Sequence, residues 1–234
     1  MPDEVSIQEE EALALAVVVG AAAAMKASQA AEDTPYIGVY EANVTDMEGY
    51  KANFLTPLQP KLDADIQERW TGKTTERVGK APENRVVIGL YPSKAKLDAF
   101  WNESKDIFKI GQKYSTGMRF FAAPAMMPLP ALANNQTFEI YEAAVSDENG
   151  YKNDFLKAIE PKLQKHKIAF LARGFNIGEE LIGEAPKNRI AISVWPSAEA
   201  EQSFWNDTHD DFKMAQQKYT TDMRLYALEG VAQK

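Results

Sequence analysis

Cysteine is absent from the chain, and histidine occurs only twice, as His166 and His209. The first absence removes disulfides, thiolate nucleophiles and Cys-ligated zinc or iron–sulfur sites. The second removes a three-histidine metal centre within one chain. Gly-rich phosphate loops, a Walker sequence and a Ser–His–Asp arrangement are also missing, so no motif calls for a metal or a cofactor. Basic residues number 26 against 34 acidic ones, a formal net charge of −8, and no Lys/Arg cluster is interleaved with aromatics. That balance argues against a nucleic-acid partner, because phosphate binding needs a basic surface.

Long hydrophobic runs are equally scarce. One stands out, Ala12 to Met25 (ALALAVVVGAAAAM), followed by Lys26 and a small-residue stretch with Ser28 and Ala30. Its length suits the core of a signal peptide and is short for a bilayer span. Met1 to Glu11, however, is acidic where an export signal carries positive charge. Two readings stand: an export signal with the start misassigned upstream, or an Ala-rich helix. The first places the protein outside the cytoplasm with no membrane span after processing; the second leaves it cytoplasmic. In both, residues 1–34 lie outside the fold.

What the chain does contain is the same text twice. Tyr40-Glu41-Ala42 recurs as Tyr141-Glu142-Ala143, and Gly49-Tyr50-Lys51 with Phe54-Leu55 recurs as Gly150-Tyr151-Lys152 with Phe155-Leu156. Pro60-Lys61-Leu62 matches Pro161-Lys162-Leu163, Asn84-Arg85 matches Asn188-Arg189, and Phe100-Trp101-Asn102 matches Phe204-Trp205-Asn206. The order is kept with small insertions, which marks a duplicated domain and not a short-period solenoid. The boundaries read 35–122 and 137–230, joined by a Pro-containing linker over 123–136.

Each copy spells the same elements. Tyr36 to Val44 and Phe138 to Val145 are β-branched and aromatic, hence strands. Asp46 and Asp147 then sit at a helix N-cap position. Tyr50, Phe54, Leu58 and Leu62, like Tyr151, Phe155, Ile159 and Leu163, form one apolar helical face. Pro60 and Pro161 interrupt that face, which predicts a kink or restart. Weaker strands over 65–71 and 167–173 precede strong ones over 85–91 and 189–195. Ser93 and Ser197 cap a second helix, which Asn102 and Asn206 are expected to break and recap. Strands from Met118 and Met223 close the pattern.

The order β-α-β-β-α-β is a ferredoxin-like unit, an α+β class fold. Its helices cover one sheet face only, yet strand 86–91 is apolar on both sides, so its second face is also buried. Burying a few hundred Å² there is worth several kcal/mol at about 25 cal/mol per Å². The two sheets are therefore expected to pack face to face, an intramolecular pseudo-dimer; further oligomerisation stays open.

Several of these segments together resemble a known family. Asp-x-x-x-Tyr after the first strand, Pro-Lys-Leu, Phe170-Leu171-Ala172-Arg173-Gly174, the Asn-Arg strand, Pro-Ser and the Phe-Trp-Asn helix are similar to the domain-of-unknown-function family numbered 1330. The family sits in the dimeric α+β barrel superfamily, and the resemblance runs in tandem over 36–230. The first copy departs from it at Gln67 to Gly72, which lacks Ala-Arg-Gly. The family itself implies no reaction. The superfamily includes cofactor-independent monooxygenases, haem-degrading enzymes and stress-response barrels, each with a site between sheet and helices.

Candidate site residues follow from these readings. His166 is a candidate base titrating near neutral pH, against a solvated loop position. Arg173 is a candidate bidentate carboxylate anchor, with Arg189, Trp205 and Tyr219 as further ligand-binding candidates in the second copy. Trp101, Trp205, Tyr114 and Tyr219 also read as core or cleft wall. Glu41, Glu142, Arg85, Arg189, Arg119 and Arg224 occur in both copies, which favours a structural role, with Glu41 pairing to Arg119 or Arg85. His209 with Asp207, Asp210 and Asp211 reads as a solvated helix surface. Three functions remain in play: a barrel binding a small apolar or aromatic molecule in the second copy's cleft, a cofactor-independent oxygenase or isomerase using His166 and Arg173, and a purely structural or interaction module.

Overall fold

The computed structural model describes residues 34–82, 84–130, 132–133 and 136–233. The export-signal expectation falls on residues outside that set. No described helix is long and apolar enough to cross a membrane.

In the first half, β1 (Tyr36–Val44) leads into α1 (Met47–Tyr50), a π-helical turn (Lys51–Leu55) and α2 (Thr56–Asp65). β2 (Glu68–Val78), β3 (Arg85–Tyr91), α3 (Lys94–Gly111) and β4 (Ser115–Pro124) complete it. The second half repeats the order with β5 (Thr137–Val145), α4 (Glu148–Gly150), a π turn (Tyr151–Leu156), α5 (Lys157–Lys165), β6 (Ala169–Phe175) and β7 (Glu179–Ile182). It ends with β8 (Arg189–Trp195), α6 (Ala198–Lys218) and β9 (Thr220–Gln233).

The caps act as their residue types dictate. Asp46 and Asp147 accept from the Gly49 and Gly150 amides, and Ser93 and Ser197 from those of Lys96 and Ala200. Each satisfies an otherwise orphaned N–H of the first turn. Pro60 and Pro161 sit within α2 and α5, each five residues beyond the end of the preceding π turn. A proline lacks the amide donor and crowds the carbonyl four residues back, and the wider π spacing just upstream lets the helix continue. Asn102 and Asn206 do not interrupt α3 and α6, contrary to the sequence expectation. Weak local propensity yields there to the packing of Phe100 and Phe108, or Phe204 and Phe212, on the sheet.

All nine strands join one antiparallel sheet in the order β6-β8-β5-β9-β2-β3-β1-β4-β7. β2 runs on to Val78, past the expected strand, and pairs with β9 over nearly its whole length, from Arg69↔Gln233 to Val78↔Leu225. β7 pairs with β4. Because β7 continues from β6 after a three-residue break, the curled sheet returns to its own start. The faces bared by the helices turn inward, where Ile37, Val39, Trp70, Ile88 and Phe121 meet Phe138, Ile140, Leu171, Ile192 and Leu228. The sheets therefore pack face to face as an α+β barrel, with a separate helix-side core in each half.

Candidate functional site

Strand parity decides which side chains can line a cleft. On β1, Gly38 and Tyr40 face the helices while Ile37, Val39 and Glu41 face the barrel interior. On β3, Arg85, Val87, Gly89 and Tyr91 share the helix side. Gly38 and Gly89 are direct partners across the β1–β3 ladder, so two adjacent positions of the sheet floor carry no side chain. Above them lies a cavity of about 280 Å³, walled by Tyr40, Tyr50, Phe54, Leu58, Leu62, Ile66, Phe100, Phe108 and Phe120. Arg85 stands at one end, and Arg69, paired with Gly89 across β2–β3, at the other.

The equivalent space in the second half holds only about 40 Å³. Glu139 and Ser193 occupy the two glycine positions there. Phe170 stands opposite Ser193, where Arg69 stands opposite Gly89. Of these, Glu139 and Phe170 line the reduced space. The sequence placed a ligand cleft in the second copy; the larger cavity lies in the first.

The polar furniture of the first cleft is sparse. The Tyr40 and Tyr50 hydroxyls are hydrogen-bonded at 2.8 Å. Burial pushes the Tyr50 phenol up, opposed by the Tyr40 hydroxyl and the Arg85 guanidinium. Arg69 Nη2 donates to Asp63 Oδ1 at 3.3 Å. Arg85 Nε is buried without a hydrogen-bond acceptor. In the second half Tyr141 and Tyr151 repeat the 2.8 Å contact, so the tyrosine pair belongs to the fold of both halves. Burial lowers the pKa of Arg189, and its guanidinium lies 5.0 Å from the Phe175 ring.

The sequence-predicted residues do not converge. His166 caps α5, its Nε2 2.8 Å from Asp207 Oδ2 on α6, and lines neither cleft. Lys165 and His166 pull the Asp207 carboxyl down to about 2. Arg173 donates to Glu160 Oε2 at 3.0 Å and stacks on Phe170; with Arg189 it borders only the filled cleft. Trp205 packs on Phe212 and His209, and the Tyr219 hydroxyl donates to Asp154 at 2.5 Å; neither lines that space. His209 bonds the carbonyl of Asn206 on its own helix. Among the described residues no group of three or more His, Asp or Glu converges as a metal site.

Two further clusters are buried. Glu41 receives both guanidinium nitrogens of Arg224 at 2.9 Å and the Tyr226 hydroxyl at 2.6 Å. Glu142 receives Arg119 at 2.6 and 2.7 Å, and Arg224 at 2.5 Å. The Glu41–Arg224 and Glu142–Arg119 pairs therefore cross between halves, while Glu142–Arg224 lies within the second half; Glu41 and Arg119 of the first half are 3.7 Å apart, and Arg85 is on the opposite sheet face. Burial would raise Glu142, but the two guanidinium groups hold its carboxyl below the usual range. The second cluster lies under α6, where Arg77 forks onto Glu201 at 2.9 and 2.5 Å. Glu139 is nearby, one carboxyl oxygen unpartnered, and burial together with Glu201 pushes it up to about 8.

Sequence reasoning missed Gly38, Gly89 and Arg69. The available signal was the set of positions where the copies differ on the helix-facing side of the strands.

Residues 136–231 match the model of a domain of unknown function, DUF1330. No curated protein matches the chain. Solved structures that align with it include a candidate monooxygenase from Lactobacillus acidophilus NCFM, 14% identical, with 84% of this chain and 94% of that one covered and a TM-score of 0.48. A mutant chlorite dismutase from Candidatus Nitrospira defluvii is 8% identical over 83% of this chain and 91% of its own, TM-score 0.48. An anthrone oxidase-like protein aligns at 13% identity over 87% and 94%, TM-score 0.47.

Proposed function

We propose that this α+β barrel, with its DUF1330 match in the second half, binds a small apolar or aromatic molecule in the cleft of its first half. One observation carries the reading. Gly38 and Gly89 leave about 280 Å³ open in one half, while Glu139 and Phe170 line an equivalent space of about 40 Å³ in the other. A domain built only to bury its twin has no reason to keep an aromatic-lined void, since unfilled volume costs packing energy. The volume is at the small end of ligand pockets, which start at roughly 300 Å³, and its mostly apolar lining with a few polar groups is their usual chemistry. The oxygenase or isomerase reading rests on His166 and Arg173, and neither reaches a space able to hold a substrate.

Titration of 2-naphthol, followed by its fluorescence, tests the reading on the native protein and on Gly89→Leu. A Cβ at Gly89 meets Ile66 and Tyr91 at 3.5 Å, ordinary contact, so a leucine there projects into the cavity without displacing the wall. Saturable binding weakened at least about tenfold in Gly89→Leu, with an unchanged or higher Tm, supports it. No binding, or equal binding by the variant, overturns it.

A further inference from the structure

Among the described residues, Arg85 and its twin Arg189 are the buried or half-buried arginines without a carboxylate partner, and each has a buried Nε lacking an acceptor. Arg77 is forked onto Glu201, Arg119 onto Glu142, Arg224 onto Glu41, and Arg173 and Arg69 touch Glu160 and Asp63. Among the described residues no carboxylate lies within ion-pair distance of Arg85, and no ring is stacked on it. Its twin Arg189 has the Phe175 ring against it and no cavity of useful size beside it. Arg85 instead borders the open cleft, with Nε buried and lacking an acceptor. A guanidinium cannot shed its charge as a lysine can, so burial leaves an uncompensated cation.

We propose that the ligand of this cleft is an organic anion, an aryl carboxylate, whose charged group sits against Arg85 and the Tyr50 hydroxyl and whose ring lies over Gly89. The proposal rests on the cleft being a binding site. Arg85 and Gly89 are four residues apart on one strand, about 13 Å between their Cα atoms at 3.3 Å per residue, a span suited to a fused bicyclic acid. Arg69 at the far end is already matched by Asp63, which leaves the net positive field at the Arg85 end. A carboxylate there receives charge-assisted hydrogen bonds, about twice as strong as neutral ones. The apolar middle of the cleft then contributes area and the arginine contributes selection by charge.

The test uses a matched pair of probes, 2-naphthoate and its neutral amide 2-naphthamide, titrated calorimetrically at pH 7.5 into the full chain, native and with Arg85→Met or Arg85→Lys. Native protein is expected to prefer naphthoate by about tenfold or more, a factor set by one charge-assisted contact. Arg85→Met should lose that preference while still binding the amide, and Arg85→Lys should keep part of it. Equal affinity of the two probes for native protein, or a preference surviving in Arg85→Met, overturns the anion assignment and leaves the cleft intact as a site. Binding of neither probe overturns the cleft reading beneath it. The comparison between probes on native protein needs no variant to fold.

Discussion

Gly38 lies directly opposite Gly89 on the β1–β3 ladder, and at the same place in the other half Glu139 lies opposite Ser193. With Arg69 of the first half replaced by Phe170 in the second, this difference accompanies different interiors on the helix side. The caps, the tyrosine pair and the β1–β3 and β5–β8 registers are shared, whereas β6–β8 carries a bulge at Leu171 that β2–β3 lacks.

The two glycines respond differently to enlargement. A Cβ on Gly38 would meet Tyr91 and Phe120 ring atoms at 2.8 and 2.9 Å, both in the aromatic wall. Gly38→Ala should therefore destabilise the protein by about 1–3 kcal/mol, as overpacking does, whereas Gly89→Ala should stay within about 0.5 kcal/mol of native. Urea unfolding of the two variants measures both; equal effects contradict the assigned wall.

The ionic group joining the halves should be asymmetric in its response to truncation. Glu142→Ala leaves Arg119 with only the Glu184 carbonyl and Glu41 at 3.7 Å, strips Arg224 of one of its two carboxylates, and should cost about 3–5 kcal/mol. Replacing Glu142 and Arg119 together by leucine should cost less than Glu142→Ala alone, because no orphaned charge remains. A double variant weaker than the single one would show that the pair contributes net stability.

Glu139 gives the protein a pH dependence on the alkaline side. Its folded pKa, about 8, lies above the ordinary carboxyl value of 4.5, so the folded state holds a proton that the unfolded chain releases. The stability it provides is complete below about pH 4.5 and is lost as pH rises through 8. Glu139→Gln removes the titration and should flatten the decline in Tm between pH 5 and 8. An unchanged slope in that variant contradicts the burial of an uncompensated carboxyl.

His166 and Arg173 should be silent in binding. His166 is engaged with Asp207, and Arg173 with Glu160 and Phe170. His166→Ala and Arg173→Ala should leave the affinity for 2-naphthol within about twofold of native, a change under 0.5 kcal/mol. A tenfold loss in either would return the site to the second half.

Much of the architecture was legible in the residues. The repeated Tyr-Glu-Ala strands, the Asp and Ser caps and the two-sided apolar strand 86–91 imply paired ferredoxin-like units with buried sheet faces, and these are present. The long reach of β2 to Val78 was hidden, because residues 72–78 are polar and carry no strand periodicity; pairing with β9 forms them. The Asn102 and Asn206 breaks failed for a related reason, local propensity being overruled by aromatic packing. The larger cavity was not anticipated because attention went to residues present in the second copy, Arg173 above all. A cavity is made by side chains that are missing, and Gly38 against Glu139 is informative only once the halves are compared by strand face.

A crystal structure of the protein soaked with 2-naphthoate tests the central claim most directly. The ring is expected over Gly89 with its carboxylate against Arg85 and Tyr50. Density for the ring in the second half, beside Arg173 and Phe170, or none in either cleft at saturating ligand, would contradict it.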